Sequence, residues 1–530
     1  MLPPIKISRR KFLQAAGAAG ALSFAGPNFS WAADGKVLKV RVRNEFYSFD
    51  PLVTISETDT VVMHALFERL VEYDSGDQWG WHLGAAEMIE YETPTRLRFR
   101  LRPGIKWSGG YGDVTAEDFK YSIERIAWME GSTNRMEWTQ LVEVAVDGPQ
   151  DGVIVLKAPQ ANLFSNTLPR DMATILCKAA MEETEGQKFT FDPPAWSGPY
   201  KIGDFSPTTG TVVLVRNEEH TPYPNAAGLE GVDEVYWDEL HFTHVASHKT
   251  AELAYLGGDL DATDIAESSI PEFKANVPEN TNLVTANTTG FSWMGMNVDH
   301  APFDDIRVRQ AIQAAIDPWE INDGAYFGAA AVGTGVIAPG LEGYWDVERP
   351  KPDLDKARAL LAEAGHPNGF DTNITVLNSD AQVAACQIIQ AQLAQIGINV
   401  EVLQYEGGTF WNLGQESQGE DWKNLELIFQ QWTSSPDPNR ATQWFTTAGV
   451  GDWNWERWRS DEYTSLNEQA MTSVDAAERD RIYQRMMEVM WNDAAYVPIN
   501  HVQIGWLVRD HVNMNFIPNA RIRPRRFTGA

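Results

Sequence analysis

The sequence predicts an α/β protein in which helices cover a sheet, and three observations support that class. Helical and strand patterns alternate regularly from Ile306 onward, which is typical of a sheet packed against helices. The composition, 43% hydrophobic and 22% charged, is that of a globular protein. The length of 530 residues gives core enough for two or more lobes, and no low-complexity linker separates them. We therefore expect lobes joined by short crossing strands.

The first part of the chain consists mainly of strand patterns. Alternation predicts strands at residues 37–42, 96–102, 153–156, 211–215 and 239–245. In the second of these, Leu97, Phe99 and Leu101 point one way and four arginines the other. A helical pattern runs from Val62 to Leu70, and a capping pattern at Thr115 predicts the start of another helix.

The second part alternates between helix and strand. Asp353 and Asp380 begin two predicted helices, which Gly365 and Gly397 end. Strands are predicted at 398–402, at 425–429 and, as a crossing strand, at 291–297.

Residues 1–32 have the pattern of an export signal that a peptidase removes. Arg9 and Arg10 precede an apolar stretch from Ala15 to Ala25, and Ser30-Trp31-Ala32 forms a cleavage site with small residues. The paired arginines indicate the twin-arginine route, which carries folded cargo. The apolar stretch is shorter than the roughly 20 residues that span a bilayer. We expect an exported, periplasmic protein that is not embedded in the membrane.

Charge and cysteine content exclude several classes of protein. The formal net charge is −30, and such a surface repels nucleic acid and anionic lipid, which need a basic patch. Two isolated cysteines, Cys177 and Cys386, argue against a disulfide framework or a metal cluster. We expect both to be buried as small hydrophobic residues.

An ordered series of motifs runs through the chain. The segments are LRPGIKW (101–107), TAEDFKYSIER (115–125), SGPYK (197–201), LGGDLD (256–261), PFDDIRVRQAI (302–312) with AID (315–317), and KARALLAEAG (356–365). In this order they resemble the family 5 extracellular solute-binding proteins, which include the oligopeptide, dipeptide and nickel receptors of ABC importers. The third segment is similar to the family's GTGPY turn, with Ser197 in place of threonine.

The resemblance implies a large, pear-shaped periplasmic binding protein fold with a ligand cleft between two lobes. The first lobe would comprise residues 34–292, with a subdomain near 68–199, and the second residues 293–500, while residues 501–530 would return to the first lobe. The implied function is capture of a peptide-like or similarly sized polar solute by hinge closure, for delivery to the permease subunits of an ABC importer. We expect a monomer without cofactor, bound metal or catalytic residues.

The resemblance also indicates a ligand site near a tryptophan of the second lobe. Peptide receptors of the family carry an aspartate three residues after that tryptophan, and it pairs with the α-ammonium of the peptide. Here Trp432 is followed at that position by the uncharged Ser435. Asp437 either substitutes for the aspartate or only starts an Asp-Pro turn. A charge-assisted hydrogen bond is worth roughly 1.5–3 kcal/mol, so loss of the aspartate at position 435 argues against the usual binding of a free peptide N-terminus. A sugar, opine or metal chelate is therefore an alternative ligand.

Aromatic residues supply the other candidates for ligand contact. The chain has 20 tryptophans, and indole faces stack on sugar rings, peptide planes or cations. Most are expected in the core. Trp432 is the first candidate from its motif position, and Trp293 and Trp411 follow. Phe46 and Tyr47 form a weaker pair in the first lobe.

Two other classes of protein remain as alternatives. His241, His244 and His248 are spaced like metal ligands, but residues three apart on a strand point to opposite faces. The sequence also lacks the His-Glu-x-x-His and Gly-x-Ser-x-Gly motifs of hydrolases, so a metal-dependent hydrolase is less favoured. No motif in the sequence distinguishes a transport receptor from a signalling protein that uses the same fold to bind its ligand.

Overall fold

The structure of this protein is a computed structural model that describes residues 36–54, 56–76, 79–220, 235–519 and 521–530. Within it, Val37–Ala530 forms one compact unit. The predicted export signal, residues 1–32, lies outside the described residues. Within the described ranges, no helix is both long and apolar enough to cross a membrane.

The α-helices span Glu57–Leu66, Ala116–Trp128, Lys178–Glu182, His248–Gly257, Ile270–Ala275, Ile306–Ala315, Pro318–Ala325, Leu354–Glu363, Asp380–Ala394, Gly407–Phe410, Asn439–Thr442, Asp461–Thr472 and Ala476–Asp493. The strands are β1 (Val37–Val42), β2 (Val71–Tyr73), β3 (Trp81–Leu83), β4 (Ala86–Thr93), β5 (Arg96–Leu101), β6 (Leu141–Val146), β7 (Asp151–Leu156), β8 (Tyr200–Ser206), β9 (Thr211–Arg216), β10 (Glu239–His244), β11 (Ala262–Ile265), β12 (Thr281–Met296), β13 (Ala331–Val332), β14 (Asp371–Leu377), β15 (Asn399–Tyr405), β16 (Leu427–Thr433), β17 (Tyr496–Arg509), β18 (Val512–Asn513) and β19 (Thr528–Gly529).

One mixed sheet organises the unit. Its strands follow the order β15-β14-β16-β12-β17-β11-β1-β10-β9-β8, with β13 paired to β17. The strands β14, β15 and β16 are parallel to one another, and so are β1, β10 and β11. We call β11, β1, β10, β9 and β8 the first half of the sheet and β15, β14 and β16 the second half. Between them lies the antiparallel pair β12 and β17.

The pair β12 and β17 connects the two halves. The predicted crossing strand at 291–297 is the C-terminal part of β12, which begins ten residues earlier, at Thr281. β12 pairs with β17 from Thr281 to Gly295, and the register shifts between Asn287 and Phe291. On its other side β12 pairs with β16 from Gly290 to Met296.

Several local predictions are confirmed by this arrangement. On β5, Leu97, Phe99 and Leu101 are fully buried, and the alternate arginines form ion pairs on the outer face. Thr115 and Asp118 form the expected capping box. The two cysteines of the chain are free and buried.

Two boundaries were predicted wrongly. The first helix ends at Leu66, and Leu70 is instead buried just before β2. The strand predicted at 425–429 is displaced to Leu427–Thr433, because its ladder with β12 continues as far as Thr433 opposite Gly290. As a result, Trp432 lies inside a strand.

A separate small core lies between residues 70 and 195. There the four-stranded sheet β4-β5-β7-β6 packs against the helix Ala116–Trp128, and both contribute to one cluster of buried hydrophobic residues. This region is called the small sheet region below.

A buried carboxylate lies against β12. Glu456 is fully buried and accepts a hydrogen bond of 2.8 Å from the indole Nε1 of Trp293. A Cβ atom at Gly295 would overlap the Glu456 carboxylate, so the strand needs glycine there. Burial raises the pKa of Glu456 to about 7, against the lowering effect of the Trp293 hydrogen bond.

This shift predicts a pH dependence of stability. Because the pKa of Glu456 is higher in the folded protein than in the unfolded chain, its contribution is fully present below about pH 4.5 and is lost as the pH rises through about 7. Relative to Glu456→Gln, the wild-type free energy of unfolding should fall by about 2–3 kcal/mol between pH 5 and pH 8. Urea unfolding at four pH values checks this. The exposed control Glu272→Gln should run parallel to wild type, and a parallel curve for Glu456→Gln would contradict the assignment.

Candidate functional site

A cavity of about 970 Å³ is lined by residues from both halves of the sheet. This volume lies at the upper end of the range of about 300–1,000 Å³ that is usual for small-ligand sites. Its lining includes Thr288 and Thr289 of β12 and residues 502–504 of β17, beside the register shift after Asn287. Such irregularities change the direction of side chains next to binding sites.

The first half of the sheet contributes a cluster of charged groups around Asp264. Arg41 is fully buried, and its Nη1 lies 2.5 Å from Asp264 Oδ1. Arg43 contacts Asp264 Oδ2 through Nη2 at 2.6 Å and Nε at 3.0 Å. Burial alone would raise the pKa of Asp264, but a hydrogen bond from His248 and the charges of Arg43 and Arg41 hold it well below its usual value. Two guanidinium groups share one carboxylate, so the cluster has excess positive charge.

The contacts with Asp264 leave much of the Arg43 side chain uncovered. About half of its side chain, 49%, is exposed, and Arg43 lines the cavity. A second arginine of the cavity, Arg521, forms an ion pair with Glu57. Guanidinium groups held in this way offer their remaining N–H groups to carboxylates.

Glu267 differs from the other acidic groups of this wall. It lines the cavity and is half-buried, and no described residue forms a hydrogen bond or ion pair with its carboxylate. Burial raises its pKa, although the charges of Arg43 and His248 act in the opposite direction. A partly desolvated carboxylate without a protein partner among the described residues can accept a ligand cation.

The second half of the sheet contributes a wall with little charge. It includes Ser379, Ala381, Gln431 and Thr433, with Asp380 as its charged group among the described residues. Phe327 also lines this wall, with 53% of its surface exposed and a positive φ of 55°. A bulky residue rarely adopts that backbone conformation, which costs of order 1–3 kcal/mol.

The predicted residues Trp432 and Trp293 lie behind the cavity wall. Successive side chains of a strand point to opposite faces, so Gln431 and Thr433 line the cavity while Trp432 does not. Trp432 packs with its ring centroid 4.9 Å from that of Trp293, which is fully buried. A ligand contact by either tryptophan stays a prediction.

Ser435 and Asp437 lie in a buried turn after β16. The Ser435 hydroxyl accepts a hydrogen bond of 3.3 Å from the Asp437 backbone N–H. Asp437 Oδ2 accepts from the Ser165 hydroxyl at 2.6 Å and pairs with Arg479 Nη2 at 2.9 Å, and its Oδ1 accepts from the Asn439 backbone at 2.9 Å. The Asp437 carboxylate therefore connects the small sheet region, through Ser165, to the helix Ala476–Asp493. Its use for a ligand ammonium stays a prediction.

The remaining predicted residues are also outside the cavity lining. Trp411 packs against Trp453 and Trp455. Phe46 packs edge-on against neighbouring phenylalanines. Tyr47 is 55% exposed, and its backbone N–H is held by Asp59 at 2.9 Å.

The histidines do not form a metal site in the described part of the chain. His241 lies 2.8 Å from Glu239, while His248 contacts Asp264 at 3.5 Å on another element. No group of three or more histidine, cysteine or acidic residues among those described could hold a metal ion.

A topological signal marks the cavity residues that the motif analysis missed. Arg43 follows β1, Glu267 follows β11 and His248 follows β10; these three strands are parallel neighbours. In open α/β sheets, ligands bind outside the carboxyl ends of such strands. Ser379 and Asp380 follow β14 in the second half in the same way.

Comparison with known proteins gives a consistent family and fold. The family model "Bacterial extracellular solute-binding proteins, family 5 Middle" matches residues 82–453. The glutathione-binding protein GsiB of Escherichia coli O1:K1 / APEC is 25% identical over 482 residues, which cover 89% of this chain and 90% of that protein.

Two solved structures share the fold over almost the whole chain. HbpA2 from Haemophilus parasuis superposes with a TM-score of 0.81 at 22% identity and covers 93% of this chain and 100% of its own. The periplasmic binding protein DppA from Helicobacter pylori, in complex with the peptide STSA, has a TM-score of 0.70 at 21% identity, with 93% and 98% coverage.

The buried ion pair of Asp437 predicts a large effect on stability. Replacing Arg479 by methionine keeps an apolar stem but leaves the Asp437 carboxylate buried without its cation, which costs about 3–5 kcal/mol. Ser165→Ala removes only one hydrogen bond to the same carboxylate and should cost about 1.5–3 kcal/mol. Urea unfolding of both variants tests the ranking, which fails if Arg479→Met is no more destabilising than Ser165→Ala.

Proposed function

The chain belongs to the family 5 bacterial extracellular solute-binding proteins, and on that premise we propose that it is the substrate-binding protein of an ABC importer. It captures a peptide-like or similarly sized polar solute between the two halves of its sheet. The observation that carries this proposal is the cavity of about 970 Å³ with lining residues from both halves. A site built in this way closes when the halves rotate about the strands that join them.

The charges of the cavity support a polar ligand with ionised groups. The side chains of Arg43 and Arg521 are partly exposed, and Glu267 has a carboxylate without a partner among the described residues. Glutathione, which the relative GsiB binds, and the peptide STSA in the DppA complex both carry carboxylate and ammonium groups. Those ligands are therefore suitable first probes.

We propose that the ligand is released unchanged. The His248–Asp264 pair resembles part of a catalytic triad, but Asp264 is already engaged by both Arg41 and Arg43. A carboxylate engaged by two guanidinium groups orients those groups and has little basicity left for histidine. The permease subunits of the importer would receive the ligand from a monomeric, closed receptor in the periplasm.

Native mass spectrometry tests the proposed capture. Mature protein purified from its own periplasm without refolding should carry a discrete added mass that disappears on denaturation. Fragmentation of the released molecule distinguishes a peptide from a sugar, an opine or a metal chelate. No added mass, together with no thermal shift on adding glutathione, the peptide STSA or sugar pools, would contradict the proposed ligand classes.

We also propose that residues 1–32 direct export by the twin-arginine route. Replacing Arg9 and Arg10 by lysine keeps the positive charge but alters the paired-arginine signal. The double variant should accumulate in the cytoplasm with its N-terminal segment intact, whereas exported wild-type protein should begin after Ala32. Cell fractionation and intact-mass measurement check both points, and equal export of the two proteins would refute the route.

A further inference from the structure

We propose that the cavity recognises an organic ammonium group of the ligand, bound between the carboxylate of Glu267 and the ring of Phe327. This inference rests on the proposed function and adds a chemical class of ligand and a recognition site within the same cavity. It depends on the position, burial and partners of the two side chains.

The backbone on either side of Glu267 is held in place, although no described residue forms a hydrogen bond or ion pair with the Glu267 carboxylate. Glu267 follows β11 in the turn Glu267–Ser269. The backbone N–H of Ala266 donates to Glu252 at 3.0 Å, and Ser269 accepts from Lys249 Nζ at 2.5 Å. Both ends of the turn are therefore fixed, so little conformational entropy is lost when a ligand binds there.

The charges around Glu267 are engaged elsewhere. Arg41 and Arg43 both contact Asp264, and His248 lies 3.5 Å from the same residue. In the described part of the chain no cation neutralises Glu267 by direct contact. A cation brought by the ligand would supply the missing charge and hydrogen bonds.

Phe327 makes the site more suitable for an organic cation than for a metal ion. Phe327 lines the same cavity from the segment that follows the helix Pro318–Ala325, and it is half-exposed. An aromatic face attracts an ammonium or guanidinium group, whereas a divalent ion needs several oxygen or nitrogen ligands. The positive φ of Phe327 lies directly after the C-cap Tyr326 of the helix Pro318–Ala325, where left-handed residues commonly end helices.

Asp380 provides a control inside the cavity. It also carries a negative charge in the lining, but it is exposed and begins the helix Asp380–Ala394. Helix N-termini stabilise such a carboxylate without a ligand. If only the overall field of the cavity mattered, neutralising Asp380 or Glu267 would have similar effects.

The test compares free and N-acetylated forms of glutathione and of the peptide STSA by calorimetric titration. Wild-type protein should bind the free amines more tightly than the acetylated forms. Glu267→Gln should weaken binding of a free amine by about tenfold or more and leave binding of its acetylated form unchanged. Phe327→Leu should give a smaller loss, also confined to the free amine, and Asp380→Asn should affect both forms equally. Thermal unfolding of each unliganded variant confirms that it is folded.

Other outcomes separate this inference from the proposed function. Equal binding of free and acetylated probes, an equal loss of both in Glu267→Gln, or a selective loss in Asp380→Asn would overturn the ammonium site and leave solute capture intact. Failure of the wild type to bind any of the four probes would overturn both the ammonium site and the peptide-like ligand class.

Discussion

The antiparallel pair β12 and β17 is the constraint on which the rest of the structure depends. These strands contain 16 and 14 residues, much longer than the usual five or six. They belong to one continuous hydrogen-bonded sheet, yet each half of that sheet has its own hydrophobic core. Because both halves are built onto the same two strands, a rotation about them moves every cavity group on one side relative to the other.

The position of the cavity follows from the direction of the strands on either side of that pair. The parallel group β11, β1 and β10 and the parallel group β14 and β16 both present carboxyl ends to it. Strand ends leave loops free to carry polar groups without breaking a ladder of hydrogen bonds. The charged groups are concentrated on the first half, and the second half offers mainly neutral groups and Phe327. This asymmetry favours a ligand with ionised groups at one side.

Trp432 shows that a residue at a recognisable motif position can lie outside the cavity lining. In the sequence, Trp432 lies beside a recognisable turn. Because successive side chains of a strand point to opposite faces, however, Trp432 points toward Trp293, while Gln431 and Thr433 line the cavity. The end of the strand was predicted four residues too early, and this hid the direction of Trp432, because a strand at 425–429 would have ended before that residue. Asp437 likewise contacts Arg479 and Ser165, and Ser165 lies more than 270 residues away from Asp437 in the sequence.

The sequence by itself determined the α/β class, several of the helices and strands, the buried cysteines and the family. These depend on local periodicity, capping residues and ordered motifs, all of which are written within short stretches of chain. Only the tertiary structure decided which groups line the cavity. Arg43, Glu267 and Phe327 are spread over more than 280 residues of the sequence, and their convergence depends on strand order and register. Whether the carboxylate of Glu267 or Asp264 contacts a cation likewise depends on the residues that surround it in the folded protein, and no local sequence pattern indicates those residues.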